Sequence, residues 1–540
     1  MSLIARKSLL ITVSKVIAQF IGWIGLAVLA KLWGGFAPEA IGIIGFAMSF
    51  IAMFDIIADL GFYQAHVKKV SEGKDLGTCI GTFAAIKILL TSLMIGVVLL
   101  SIFIWKNIFH NKFYDATTES VVFVMLIYYV LADLTQIATV TFEAKKEMAK
   151  RELTYIFECI KTPLMILVAV AGVGTMATIQ PAIQWPDFLS PLQKFLAGHA
   201  VGSLAMTYVF AILASFVVGL WLLRKYPIKK PKWELGKEYA AFALPIMLIS
   251  FIGVISVNID KIMLGFFWTS TEVGYFFSMQ QIMQMLMILH IAVGTVLFPT
   301  FSEYHTKKDF EKIKEAVYVS ERYISMLMIP PVVIFVVFAN PVIGTILSSA
   351  FYPAASTLIV LTIYVYILSL TRPYFALTSG INKPIIGAKI GAVMCSINII
   401  LNFFFIPKDG LLSSFGVNGP LGAAVATVTS GFIGFVWFKF TVKKLIGIKM
   451  ISSHVPRHII AGLVMALVLY FLSSSIQTIR WYLLIVFAFI GLAVYLGILY
   501  VLKEFNKKDL KFFLNLLQPK EMLNYIKSEL KEEKKIIEKK

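Results

Sequence analysis

The stretch TCIGTFAAIKILLTSLMIGVVLLSIFI, residues 78–104, is almost entirely apolar, and Lys87 is its only charged residue. A helix needs about 20 apolar residues to cross the hydrocarbon core of a bilayer, and this stretch is longer than that. Comparable runs recur between residues 8 and 502. With 59% hydrophobic and 15% charged residues, the chain has the composition of an all-α integral membrane protein.

The hydropathy of the chain predicts about fourteen transmembrane helices. They lie near 8–32, 39–66, 78–104, 119–142, 153–174, 200–223, 238–264, 272–298, 317–340, 355–378, 384–406, 419–441, 456–476 and 481–502. The first apolar run is too long for a signal peptide, so we expect it to be retained as a span. The cysteines Cys79, Cys159 and Cys395 lie in separate spans, which argues against disulfides and metal clusters.

Lysine and arginine concentrate in every second loop, near residues 6–7, 68–74, 145–151, 224–237, 307–314 and 439–457. Basic loops stay on the cytoplasmic side of a membrane, so the pattern predicts that both termini are cytoplasmic and that the number of spans is even. The formal charge of +19 therefore belongs mostly to the inner membrane face. It is matched there by anionic lipids, and we expect no nucleic-acid partner.

A weak internal similarity divides the chain into two halves. AIGIIGFAMS at 40–49 resembles EVGYFFSM at 272–279, and each segment enters a helix after a short outer loop. The two segments lie about six spans apart, so the halves would be parallel repeats around a central cavity, as in many transporters.

This division gives five predicted segments. They are a six-helix bundle at 1–223, a basic linker at 224–237, a second six-helix bundle at 238–441, two further helices at 442–502 and a basic amphipathic tail at 503–540.

The motifs of covalent chemistry are missing from the sequence. It contains no GxxxxGK[ST] phosphate loop and no HExxH metal motif. Its largest outer loop, 175–199, offers Asp187 as its only carboxylate. We therefore predict that the protein is not an enzyme and needs no cofactor beyond a coupling ion.

Charged residues inside the spans are expected to have a structural or functional role, because inserting each one at mid-bilayer costs a free energy of roughly 2.5 to 3.5 kcal/mol. Five cations fall in the cytoplasmic half at similar depth: Lys15, Lys87, Lys161, Arg372 and Lys389. We interpret them as a cationic vestibule for an anionic substrate such as a phosphate or pyrophosphate headgroup. Asp55 and Asp59 share one helix face there. The alternative for any single residue is snorkelling or internal Asp–Lys pairing.

A second polar group lies in the outer half of the other bundle. Its members are oxygen donors: Asp260, Asn398, Asn402 and Thr427. Such a set suits Na⁺, or a carboxyl that carries a proton. The adjacent Lys261 argues against an ion site, and polar contacts between membrane helices explain Asn and Thr equally well.

Three stretches of this sequence resemble the multidrug/oligosaccharidyl-lipid/polysaccharide exporter superfamily, and most of all its oligosaccharide-lipid flippases. The first contains AKLWG at 30–34, Gly42 and DLGF at 59–62. The second runs from Pro245 through NIDKIMLG at 258–265, VGY at 273–275 and LFP at 297–299. The third contains GINKP at 380–384, NIILNFFFIP at 398–407 and GAAVAT at 422–427.

The resemblance implies a twelve-helix core in two bundles, a V-shaped cavity, alternating access and two further C-terminal helices. It also implies the cargo, a polyisoprenyl-(pyro)phosphate-linked oligosaccharide. In related peptidoglycan-precursor flippases a Na⁺ site joins spans seven, eleven and twelve, where Asp260, Asn402 and Thr427 fall here.

We therefore predict a monomeric flippase of the cell membrane that carries a lipid-linked oligosaccharide from the cytoplasmic to the outer leaflet, for surface polysaccharide or glycoprotein assembly. Na⁺ or H⁺ is the expected coupling ion. The first alternative is a multidrug or organic-cation antiporter of the same fold, which the lysine-rich inner half disfavours. The second is a membrane glycosyltransferase or polymerase, which the missing extramembrane domain disfavours.

Overall fold

The structure is a computed structural model that describes residues 3–107, 116–175, 178–180, 183–448, 454–476, 479–506 and 509. Backbone amides have no water to bond inside a bilayer, so apolar runs of this length form helices. The helices up to the middle of the chain are α1 Leu3–Trp33, α2 Ala37–Asp59, α3 Phe62–Ser71, α4 Leu76–Asn107, α5 Ala116–Ala144, α6 Met148–Glu158, α7 Lys161–Ala171, α8 Ser190–Gly198 and α9 Ala200–Leu223. A short hairpin pairs β1 Val173–Thr175 with β2 Thr178–Gln180.

The helices of the second part follow a basic linker. They are α10 Trp233–Phe267, α11 Ser270–Thr306, α12 Phe310–Val337, α13 Ala339–Ile346, α14 Ala355–Gly380, α15 Pro384–Phe405, α16 Gly419–Ile446, α17 His454–Ser474 and α18 Trp481–Val501. Prolines stand in the first turn of α2, α15 and α16, where the missing amide hydrogen costs nothing.

The predicted all-α membrane fold is confirmed. Among the described residues, 12 segments are long and apolar enough to span a membrane. The first of them, Ile17–Ser71, contains two crossings, α1 and α2. When α1 and α2 are counted as two crossings and α11 is counted as well, the described residues contain about fourteen crossings, as predicted. The fifth crossing is broken after Glu158 into α6 and α7.

The two halves pack in the same pattern. In the first half α5 packs on α2, α4 and α9, and α1 lies against α7. In the second half α14 packs on α11, α12 and α16, and α10 lies against α15. Each pair recurs six crossings later in the same order, as the parallel repeat requires. The exact residue boundaries of the five segments stay predictions.

The halves contact each other at both ends of the bundle. We call the end with the lysine-rich turns after α3 and α9 the basic end, and the opposite one the far end. At the far end a Cβ on Gly42 of α2 would lie 1.6 Å from the carbonyl oxygen of Ser270 in α11, so only glycine fits there. At the basic end Glu238 of α10 bonds Lys69 at 2.8 Å and Lys74 at 2.7 Å.

The two C-terminal helices attach to the second half, because α17 packs on α12 and α18 packs on α17. A group of polar contacts fixes the segment after α18. The guanidinium of Arg322 in α12 donates to Glu504 at 2.9 Å and to Asp509 at 2.7 Å. Both carboxylates are buried. Leu510, Phe513, Leu514 and Leu517, on which the amphipathic tail was predicted, lie outside the described residues.

Candidate functional site

The polar group of the second half forms around the carboxylate of Asp260 in α10. Its Oδ1 accepts a hydrogen bond from the Asn402 amide at 2.7 Å, and its Oδ2 accepts one from the Thr427 hydroxyl at 3.0 Å. The Asn398 amide donates to Thr427 Oγ1 at 3.3 Å. Helices α10, α15 and α16 therefore bring together the four residues that the sequence singled out.

Helix geometry explains why these side chains meet. Asn398 and Asn402 are four residues apart and lie on one face of α15. Gly422, in the first turn of α16, lets the two helices approach, since a Cβ there would lie 2.1 Å from the carbonyl oxygen of Phe405. That approach places Thr427, further along α16, opposite Asp260.

The group has spare acceptor capacity for a cation. Asn402 Oδ1 is buried and has no hydrogen-bond partner. The Thr427 hydroxyl has one proton for two neighbouring acceptors, Asp260 Oδ2 and the carbonyl of Ala423 at 2.9 Å. Carboxylate, amide and hydroxyl oxygens are the ligands that hard cations take. The residues present therefore fit a Na⁺ ion, with Asp260 as the charged ligand and the other three as neutral ones.

Lys261, whose position argued against an ion site, turns away from Asp260. Its ammonium donates to Gln280 of α11 at 2.9 Å and to the carbonyl oxygen of Val257 at 2.9 Å. Lys261 is buried in this position, next to the aromatic ring of Phe277. Gln280 as the partner of Lys261 was not predicted from the sequence.

Lys87, one of the five cations of the predicted vestibule, lies in the interior of the first half. Lys87 is fully buried and pairs with Asp133 of α5 at 2.6 Å, while it also donates to the carbonyl oxygen of Ala58 at 2.9 Å. Lys87 therefore does not line an open vestibule here, and for this residue the alternative of internal Asp–Lys pairing is the correct one. Asp133 is the partner that the sequence did not identify, although its membrane depth matches that of Lys87.

The two predicted vestibule carboxylates, Asp55 and Asp59, lie on the neighbouring helix α2. Asp55 interacts with Asp133, and its Oδ1 is buried without a hydrogen-bond partner. Asp59 accepts a hydrogen bond from the backbone amide of Tyr63 at 3.1 Å, at the turn between α2 and α3. Both carboxylates are half-buried, and their place in a vestibule stays a prediction.

The remaining cations lie in separate surroundings. Lys161 begins α7, stacks over the ring of Tyr208 at 4.6 Å and borders a cavity of about 500 Å³. Arg372 of α14 is half-buried, and its Nε has no hydrogen-bond partner. Lys389 is exposed on α15. The side chain of Lys15 lies outside those that the structure describes. Among the four side chains that the structure describes, only Lys87 is enclosed by an ion pair, and the shared vestibule stays a prediction for the others.

The second half contains a buried pair that the sequence did not suggest. Lys439 of α16 bonds Glu321 of α12 at 2.9 Å, and the Tyr374 hydroxyl also donates to Glu321. All three side chains are buried. Each half therefore encloses a lysine–carboxylate pair, Lys87 with Asp133 in the first and Lys439 with Glu321 in the second.

Comparison with known proteins finds one family and two relatives that are similar to this chain. Residues 189–356 match the family described as "Polysaccharide biosynthesis protein". The "Probable low-salt glycan biosynthesis flippase Agl15" of Haloferax volcanii is 22% identical over 517 residues, which cover 95% of this chain and 99% of that protein. An uncharacterized membrane protein of Methanocaldococcus jannaschii is 23% identical over 330 residues, 61% of either chain.

Solved structures share the fold at low sequence identity. The structure titled "Lipid II flippase MurJ, inward closed conformation" aligns with a TM-score of 0.67 and 15% identity, over 94% of this chain and 100% of that chain. An inward-facing multidrug transporter, described as a MATE family member of the MOP superfamily, aligns with a TM-score of 0.58 and 14% identity. That alignment covers 80% of this chain and 98% of the transporter.

The chain is therefore a multi-pass membrane protein with the fold of the solved MOP superfamily transporters, and the family match, the relatives and the shared fold all support the resemblance to the multidrug/oligosaccharidyl-lipid/polysaccharide (MOP) exporter superfamily seen in the sequence. The family match and the Haloferax volcanii relative are in line with the polysaccharide branch of that superfamily. The cytoplasmic position of the termini stays a prediction.

Proposed function

We propose that this protein is a flippase for a polyisoprenyl-(pyro)phosphate-linked oligosaccharide. It moves this cargo from the leaflet at the basic end to the leaflet at the far end, by alternating access. The observation that carries the proposal is that three intramembrane cations have no carboxylate partner among the described residues. Lys161, Arg372 and Lys389 form no ion pair with a carboxylate of the described residues, unlike Lys87. Unpaired cations at membrane depth favour an anionic cargo such as a lipid phosphate.

Alternating access is supported by the contacts between the halves. The Gly42–Ser270 contact at the far end and the Glu238 ion pairs at the basic end join the halves on opposite sides of the membrane. Transport requires that each set opens while the other stays closed. The far-end set is close backbone packing. The basic-end set includes the partly exposed ion pairs of Glu238, which contribute little to stability, and the buried hydrogen bond between His66 and Tyr239.

Cation coupling would act through the Asp260 group. An ion can drive the cycle only if it binds one conformation more tightly than the other. Residues Asp260, Asn398, Asn402 and Thr427 lie on three different helices of the second half, so a relative shift of α10 against α15 and α16 changes their spacing. We propose Na⁺ as the ion, with H⁺ on the Asp260 carboxyl as the alternative.

The test is flipping of a fluorescent polyprenyl-diphosphate oligosaccharide in proteoliposomes. We expect the wild type to flip it, and we expect Lys161→Ala and Arg372→Ala each to slow flipping by at least about tenfold, the effect of losing one charge-assisted contact. Lys408→Ala, at the far end, serves as the matched control and should flip normally.

Other outcomes would replace the proposal. Wild-type protein that exports organic cations and leaves the glycolipid in place would be a multidrug antiporter of the same fold. Transfer of sugar by the purified protein would make it a glycosyltransferase. Equal flipping by wild type, Lys161→Ala and Arg372→Ala would remove the role assigned to the unpaired cations.

A further inference from the structure

A cleft of about 520 Å³ opens at the far end of the molecule. Its walls come from three parts of the chain. Lys31 is in the last turn of α1, Thr345 and Tyr352 are in and after α13, and Arg480 and Trp481 begin α18. The cleft therefore lies where the first half, the second half and the added C-terminal helices meet.

The charged side chains that line this far-end cleft are positive. Lys31 and Arg480 line it, and no carboxylate does among the described residues. Both cationic side chains are exposed. Two cations on the walls of one concave site raise the local concentration of anions, and the planar guanidinium of Arg480 suits a phosphate in particular. Arg480 is also the N-cap of α18, so the positive end of that helix dipole lies beside the cleft.

The neutral groups of the far-end cleft suit the rest of a glycolipid headgroup. The hydroxyls of Thr345, Ser349 and Tyr352 line it and can bond phosphate or sugar oxygens. Tyr352 and Trp481 are 43% and 63% exposed. Aromatic rings with a polar edge are favoured at the membrane–water interface, where a headgroup resides.

The position of Tyr352 depends on a glycine. A Cβ at Gly344 would lie 2.6 Å from the Tyr352 hydroxyl, so the phenol ring can lie over this part of α13 only because residue 344 has no side chain. A larger residue at 344 would displace Tyr352 and change the cleft without changing its charge.

We propose that the far-end cleft binds the phosphate ester headgroup of a lipid in the far leaflet. Two sources share this chemistry, the (pyro)phosphate of the flipped glycolipid and the headgroup of an ordinary anionic phospholipid. The assignment to the flipped cargo rests on the proposed function. Because Lys31 belongs to the first half and Tyr352 to the second, movement of the halves would change the distance between them, so binding can differ between conformations.

The experiment measures binding to the full chain in nanodiscs of zwitterionic lipid. The probe is a fluorescent polyprenyl-diphosphate oligosaccharide, and the variants are Lys31→Ala, Arg480→Ala and the double variant. We expect each single variant to weaken binding about tenfold, because each removes one charge-assisted contact, and the double variant to weaken it further. Lys194→Ala, an exposed far-end lysine outside the cleft, should bind like the wild type.

Competition identifies the source of the ligand. Displacement of the probe by phosphatidylglycerol would assign the cleft to ordinary phospholipid, and displacement by unlabelled glycolipid alone would assign it to the cargo. Gly344→Val, which keeps both cations, should also weaken binding. Wild-type affinity in the double variant and in Gly344→Val would overturn the proposal.

Flipping by the same preparations separates this inference from the proposed function. If the wild type flips the glycolipid and the cleft variants bind it normally, the headgroup site is wrong and the function stands. If the variants lose binding but the wild type does not flip, the site stands and the function is wrong.

Discussion

Asp260 and Asn402 are 142 positions apart in the sequence, and their side chains meet at 2.7 Å. This contact ties α10 to α15 in the middle of the second half and places a carboxylate among neutral oxygens. Asp260 is 3% exposed and Asn402 is fully buried. A buried carboxylate with neutral partners needs a positive charge or a proton, which is why the contact bears on ion coupling.

Na⁺ should stabilise the wild-type protein and should fail to stabilise Asp260→Asn. A ligand present at about 100 times its dissociation constant adds about 2.7 kcal/mol to the free energy of unfolding. Thermal unfolding in Na⁺ against K⁺ at equal ionic strength measures the difference. Asp187→Asn, in the far loop, should keep the full Na⁺ effect. A Na⁺ effect that survives in Asp260→Asn would place the ion elsewhere.

Lys87→Met should destabilise the first half severely. It leaves Asp133 buried without its partner at 2.6 Å, and removal of one member of a buried ion pair costs about 3–5 kcal/mol. The double variant Lys87→Met/Asp133→Leu should recover most of that loss, because no lone charge remains. Thermal unfolding of the three proteins in detergent tests this. Normal stability of Lys87→Met together with lost flipping would instead return Lys87 to substrate binding.

Gly42→Ala should prevent close contact of α2 with α11 at the far end, since the new Cβ would meet the carbonyl oxygen of Ser270. We expect faster hydrogen–deuterium exchange in residues 37–45 and 270–277, and slower flipping because the far end cannot close. Gly96→Ala is the matched control, since a Cβ there has open space around it. Unchanged exchange in Gly42→Ala would show that the halves already stay apart in the membrane.

Asp75, in the basic-end turn before α4, should give the protein a pH-dependent contribution to stability. Hydrogen bonds from Lys229 and Thr78 hold the pKa of its carboxyl well below the usual range. A lowered pKa stabilises the folded state above the unfolded value of about 3.9, and the contribution is lost as the pH falls further.

The unfolding midpoint of Asp75→Asn should therefore lie below that of the wild type at pH 6, and the gap should shrink below about pH 4. Asp409→Asn, an exposed carboxylate of the far end, is the control. A gap that stays constant from pH 6 to pH 3 would mean that the ionised carboxylate of Asp75 contributes nothing.

The membrane class, the approximate number of crossings and the repeat could be predicted from the sequence, because each depends on quantities that vary along the chain in one dimension. Hydropathy predicts the length of each span, and the lysines of alternate loops indicate where one span ends and the next begins. The depth of a charge, such as that of Lys87, follows in the same way by counting the rise of a helix. The resemblance also brought Asp260, Asn402 and Thr427 together before any contact was known.

The direction in which each side chain points could not be predicted, because it depends on how the helices pack in the folded protein. Lys87 and Lys161 have similar depths, but α4 turns Lys87 toward Asp133 while Lys161 begins a new helix at the break in the fifth crossing. The rotation of a helix about its axis is set by packing against neighbours far away in sequence. Because the faces of a span toward lipid and toward protein are both mostly apolar, hydrophobic periodicity carries little information about this rotation. For the same physical reason the far-end cleft, built from α1, α13 and α18, appears only once the chain is folded.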